Sequence, residues 1–217
     1  MSPARTAASR GRGRGKPRGR PRGADARPKS RRRRWLAIAA AATLGAGAAI
    51  GISRIDFDKL AREVTLPLRH DDIIRQQAAD KNLDPSLIAA VIYAESRFRN
   101  QESEAGALGL MQITPETAQD IARLSGGTQF VTGDLSDADI NISYGSFYLG
   151  HLLRRYDGNE VAALAAYHAG PGNADRWGGA GLDLESIGFQ ETRSYVAEVL
   201  DKRQEYRDKY ADDLGLR

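Results

Sequence analysis

The sequence predicts a mainly α-helical domain behind a disordered basic tail and one apolar span. Three observations carry this. Apolar residues recur at helical spacing through most of residues 70–210. Two pairs, Asp84-Pro85 and Thr114-Pro115, have the form of a capping residue followed by proline at the first helical position. No alternating run is long enough for a substantial strand, although a short hairpin fits near residues 126–135. Of the 217 residues, 41% are hydrophobic and 28% charged, which is ordinary globular usage and excludes a wholly disordered or fibrous chain.

The N-terminus departs from that average. Residues 1–34 hold 14 Lys/Arg and one Asp, a net charge of +13, whereas residues 35–217 carry −9. The Arg/Gly/Pro-rich tail has almost no large apolar side chain, so burial cannot offset the entropy of ordering it. Trp35 to Ile52 then runs 18 residues without a charge. As a helix this reaches about 27 Å, just short of the roughly 30 Å hydrocarbon core of a bilayer. The flanking Arg31 to Arg34 predicts a cytoplasmic N-terminus and an extracytoplasmic remainder. A cleaved signal with Ala46-Gly47-Ala48 as its site, or a twin-arginine signal around Arg32 to Leu36, gives the same placement, with secretion as the outcome of cleavage. Within the tail, Pro17-Arg18-Gly19-Arg20-Pro21 resembles an AT-hook core. A polybasic tail touching anionic lipid accounts for the same residues, and nucleic acid is not an expected partner.

Residues 53–69 read as a linker. Asp71-Asp72 open a short amphipathic helix with Ile73, Ile74 and Ala78, ending near Asn82. The next helix runs to Ser96 and is apolar on nearly all sides from Leu87 to Ala94, the mark of a buried helix. A third runs from Thr114-Pro115-Glu116 through Leu124, and residues 125–136 form a loop. Asp137 to Tyr156 carries Ile140, Tyr144, Phe147, Tyr148, His151 and Leu152 on one pattern. Val161 to Ala169 is a short apolar helix stopped by Gly170-Pro171-Gly172. Glu191 to about Tyr210 closes the domain, leaving 211–217 as a C-terminal tail.

The absence of cysteine excludes disulfides, thiolate zinc sites and Cys nucleophiles. With three histidines, His70, His151 and His168, a multi-histidine metal site is not expected. Attention falls on Glu95, at the end of the most apolar helix. Desolvation there would raise its pKa, which suits a general acid for glycosidic cleavage. At a helix end it could equally face solvent. Gly106 to Gln112 follows, with glycines that permit close backbone approach and a Gln that offers both donors and acceptors. Tyr167-His168-Ala169-Gly170-Pro171-Gly172 adds an aromatic face suited to a sugar ring.

Taken in order, five segments resemble the catalytic domain of the soluble lytic transglycosylase family, lysozyme-like enzymes of peptidoglycan. They are Glu95-Ser96-Arg97-Phe98; Gly106 to Gln112 with Ile113 to Ala118; Asn141-Ile142 with Gly145 and Tyr148-Leu149; Ala165 to Gly172; and Glu191 to Val196. The resemblance covers about residues 70–205. It implies an α+β lysozyme-like fold and Glu95 as the single acid, then base. It also implies substrate roles for Ser103, Met111, Gln112, Tyr167, Glu191 and Tyr195, with Ser96 supporting the loop of Glu95. His168 stands where the family usually has Asn. The implied reaction cleaves the bond between MurNAc and GlcNAc without water, leaving a 1,6-anhydro-MurNAc end, and needs no metal or organic cofactor. The expected partners are glycan strands and, through residues 35–52, a membrane. A hydrolytic muramidase on the same scaffold, a weak wall-binding module and a DNA–membrane tether are the competing readings.

Overall fold

The computed structural model describes residues 63–126 and 132–217, all within one unit spanning Asp56–Arg217. The tail, the AT-hook-like string, the apolar run 35–52 and most of the linker lie outside the described residues. Among the described residues no helix is long and apolar enough to cross a membrane.

Among the described residues seven α-helices are named in order: α1 Asp71–Lys81, α2 Pro85–Ser96, α3 Pro115–Ser125, α4 Ala138–Arg155, α5 Glu160–Ala169, α6 Pro171–Trp177 and α7 Gln190–Lys209. Their starts are set by local chemistry. Asp84 accepts from the backbone of Ser86, Thr114 from Thr117, Asp137 from Asp139 and Ile140, and Asn159 from Ala162. Each cap satisfies amides that the helix itself leaves without acceptors.

Helix α2 is the axis of the core. Ile88, Ala89, Ala90, Val91 and Ile92 are wholly buried. Full burial of one large aliphatic side chain is worth about 2 kcal/mol, so this helix has no solvent face to spare. It packs on α7 and α1, while α5 is held between α4, α6 and α7. Isolated bridges Glu102 to Leu108 and Leu108 to Ile113 are the β-structure of the loop between α2 and α3. The fold is thus mainly helical, as expected.

Four details differ from expectation. The hairpin placed near 126–135 is absent over its described part, where Thr132–Ser136 forms a 3₁₀ turn instead. Gly170-Pro171 does not merely stop α5. Gly170 adopts φ 85°, and Pro171 starts α6. The end of the linker belongs to the core: Leu66 is buried, and the carbonyls of Leu66 and Pro67 accept from Tyr210 and Tyr206. At the other end Leu214 is buried too, and Arg75 reaches the carbonyl of Asp213.

Candidate active site

The apolar composition of α2 carries a carboxylic acid to the rim of a cleft. Glu95 lies in its last turn, between half-buried Ala94 and buried Ser96. Desolvation pushes the Glu95 carboxyl up to about 7, against the opposing effect of one hydrogen bond. That bond comes from the Tyr195 hydroxyl, which donates to Glu95 Oε1 at 2.8 Å. An acid so poised is largely protonated at mildly acidic pH and can give up its proton near neutrality.

The cleft beside it holds about 340 Å³. Its lining includes Glu95, Ser103, Gln112, Tyr148, Tyr167 and His168. Among the described residues of that lining, Glu95 is the one carboxylate. The Tyr167 hydroxyl donates to the Met111 carbonyl at 2.9 Å, and its ring lies 5.7 Å from that of Tyr148. Burial and the nearby Glu95 raise Tyr167 well above the ordinary phenol range, so it stays a neutral donor. Tyr195 is buried and raised for the same reasons.

The loop that faces Glu95 is fixed from behind. Ser96 Oγ donates to the Leu110 carbonyl at 2.7 Å. Buried Asn141 spends its amide on three backbone groups: it accepts from Met111 N–H at 2.8 Å and donates to the carbonyls of Leu108 and Leu135, both at 2.9 Å. Gly109 has φ +79°, and a Cβ there would fall 2.1 Å from Asn141 Nδ2. Only glycine lets the loop close on that amide.

The anticipated residues divide by placement. Glu95, Ser103, Gln112, Tyr167 and His168 meet in the cleft. Ser103 Oγ accepts from Ala107 N–H at 3.0 Å. Gln112 has φ 48°, and its Nε2 donates to the carbonyls of Gln101 and Gly109, so it offers the cleft an acceptor oxygen. Tyr195 reaches Glu95 from beneath. Ser96 is buried as a support. Met111 is placed otherwise than expected: its side chain is wholly buried against Gly145, and only its carbonyl bears on the site. Glu191 is exposed and lines a neighbouring depression with Phe189 and Gln190, joined to the cleft at His168. The His168 ring sits 4.5 Å from that of Tyr195, with Nδ1 3.1 Å from Thr192 Oγ1. Partial burial lowers His168 below the ordinary imidazole value, and Glu191 acts against that.

Sequence reasoning gave no site role to Tyr148, Thr114, Thr117 or Thr192. Tyr148 falls on the apolar pattern of α4, where an aromatic reads as core, and the threonines carry no signal that separates a cleft wall from a cap. Among the described residues no group of His, Asp and Glu is arranged to hold a metal ion.

Comparison with known proteins shows the family to which the chain belongs. The family model described as the transglycosylase SLT domain matches residues 72–186. The chain is similar to the soluble lytic murein transglycosylase of Escherichia coli K12, 34% identical over 154 residues, or 67% of this chain and 24% of that one. It is similar also to the membrane-bound lytic murein transglycosylase F of Desulfosudis oleivorans, 35% identical over 127 residues, 55% of this chain and 26% of the other. Among solved structures, the 70 kDa soluble lytic transglycosylase of E. coli superposes with a TM-score of 0.64 at 33% identity, covering 71% of this chain and 26% of that one. The chain spans about a quarter of the length of these relatives.

Proposed function

The chain belongs to the transglycosylase SLT family, and from that premise we propose that residues 70–210 act as a peptidoglycan lytic transglycosylase. The observation that carries the reading is a single carboxyl group, desolvated and raised to about 7, on the wall of a cleft whose described lining holds no second carboxylate. Glycosidases that rely on two carboxylates place them about 5–9.5 Å apart. One acid suffices if the substrate supplies the other groups.

In the proposed reaction, protonated Glu95 donates its proton to the oxygen between MurNAc and GlcNAc. The C1–O bond breaks, and the GlcNAc hydroxyl leaves. The MurNAc N-acetyl oxygen stabilises the cation at C1. Glu95, now a carboxylate, takes the proton of the MurNAc C6 hydroxyl as that oxygen bonds to C1. The products are a 1,6-anhydro-MurNAc end and a GlcNAc end, with no water consumed and Glu95 restored. Tyr195 holds the carboxylate while it is charged. Gln112, Ser103, Tyr167 and His168 bind sugar groups along the cleft, with Glu191 beyond His168.

Residues 1–34 are then a cytoplasmic tail, residues 35–52 a membrane anchor or a signal, and the helical domain extracytoplasmic, where the substrate lies. The name of the membrane-bound relative is consistent with such an arrangement. The test is to incubate the full chain, wild type and Glu95→Gln, with purified peptidoglycan and weigh the products. Muropeptides one water lighter than muramidase products, absent with Glu95→Gln, are expected. Products of hydrolytic mass would replace the reaction by that of a muramidase. No products, from wall that a control muramidase digests, would leave a wall-binding module.

A further inference from the structure

On the side of α2 that carries Tyr93 and Arg97, the structure holds a second concavity, of about 550 Å³, that the cleavage reaction does not use. Its walls are residues 63–69 and the end of α2, and its charged lining is Arg69, Arg97, Arg99 and Glu63. Three guanidinium groups against one carboxylate stand out on a chain whose residues 35–217 carry −9.

The concavity is built rather than incidental. Arg97 and Phe98 take φ 52° and 59°, two consecutive left-handed residues of a kind that side chains other than glycine seldom adopt. This sharp turn ends α2 and sets Arg97 and Arg99 in one pocket. Phe98 is buried beside Tyr206 as its anchor. The Arg97 guanidinium stacks over the Tyr93 ring at 4.4 Å, donates to the Tyr93 hydroxyl and pairs with Glu198 at 3.0 Å. The Tyr93 hydroxyl in turn donates to the Thr65 carbonyl at 3.2 Å, tying one wall to the other. Arg69 and Arg99 have no carboxylate within ion-pair distance among the described residues. Arg97 is satisfied by Tyr93 and Glu198, and Arg99 Nε donates to the Ser96 carbonyl at 3.3 Å; among the described residues Arg69 and the terminal nitrogens of Arg99 keep free donors, which match phosphate oxygens.

We propose that Arg69 and Arg99, across a pocket whose wall Arg97 helps to build, bind a phosphate group, in the first instance the phosphodiester of an anionic lipid headgroup. The chain order favours that source: the wall beginning at Glu63 follows the apolar run ending at Ile52 by eleven residues. The site is separate from the cleavage reaction and stands or falls independently of it.

The absence of native cysteine permits a local reporter. Val64 is 76% exposed on the pocket wall, so a fluorophore on Val64→Cys in the full chain, held in neutral detergent, reports on this pocket rather than on the basic tail. It is titrated with dihexanoyl phosphatidylglycerol and, separately, with inorganic phosphate. A saturable response to the lipid is expected. Its midpoint should move about 30-fold when Arg69→Gln and Arg99→Gln are combined, at about 1 kcal/mol for each basic residue at an anionic headgroup. A response to lipid alone identifies the headgroup as the source, and an equal response to inorganic phosphate identifies a general phosphate site. No response to either, or the same midpoint in the double variant, overturns the proposal. Peptidoglycan cleavage or binding by the double variant, unchanged from wild type, shows that it is folded.

Discussion

The Tyr195 hydroxyl and Glu95 Oε1 meet at 2.8 Å although the two residues are one hundred positions apart in the chain. The bond stabilises the charged carboxylate and so opposes the burial that raises Glu95. Tyr195 therefore sets how far the acid is raised, and the acid's working range depends on the docking of α7 against α2.

Tyr195→Phe removes that restraint. The Glu95 carboxyl should rise further, since a hydrogen bond to a charged group is worth about 1.5–3 kcal/mol and about 1.4 kcal/mol corresponds to one pH unit. The alkaline limb of kcat/KM should move up by about one unit. A profile that overlays wild type would show that the bond does not tune the acid.

Glu95→Gln should abolish cleavage, with a loss of about 10²- to 10⁴-fold from the acid–base role, while making the domain more stable. The sign follows from the raised pKa. The folded state holds its proton up to about 7 against an ordinary value of 4.5, so stability is fully present below the lower value and declines as pH rises through the upper one. Gln has nothing to ionise. Its advantage in denaturant unfolding should be absent near pH 4 and reach about 3 kcal/mol above neutrality. An equal difference at both pH values would contradict the raised carboxyl.

His168→Asn should change the opposite limb. As pH falls through the lowered imidazole value, a cation appears on the cleft wall against Tyr195, with Glu191 the acidic neighbour that favours it. A cation there favours ionised Glu95 and so weakens its hold on the proton it must donate. The variant should keep more of its kcat/KM than wild type does on the acid side of that lowered imidazole value, and the two profiles should converge at neutral pH.

Asn141→Ala leaves the Met111 amide and the carbonyls of Leu108 and Leu135 without partners inside the core. Each such loss costs about 1–3 kcal/mol, so equilibrium unfolding should show at least 3 kcal/mol of destabilisation. Because the same loop faces Glu95, KM for glycan should rise in whatever fraction remains folded.

Most of the helices were legible because their starts are local. Asp84, Thr114, Asp137 and Asn159 accept from amides two or three residues ahead, and such signals survive without tertiary context. Helix α6 was hidden in a signal with two meanings: Gly-Pro ends one helix, yet Pro at the first position also begins the next. The short flanks were misjudged because single residues, Leu66 and Leu214, carry them into the core. In the cleft, the setting of Glu95 in an apolar helix was readable and its partner was not. Nothing in residues 190–196 discloses that a hydroxyl will land on a carboxylate from α2. Met111 shows the same limit. Its place in a motif suggested a cleft wall, whereas the space left by Gly145 draws its sulfur inward.

That the acid's surroundings are completed by the last helix bears on how the chain is made. During synthesis Glu95 and the whole cleft wall leave the ribosome well before residues 190–209. Until α7 arrives, α2 lacks the surface it packs against and Glu95 lacks both its hydroxyl partner and part of the burial that raises it. The acid acquires its final surroundings only once α7 has closed on α2.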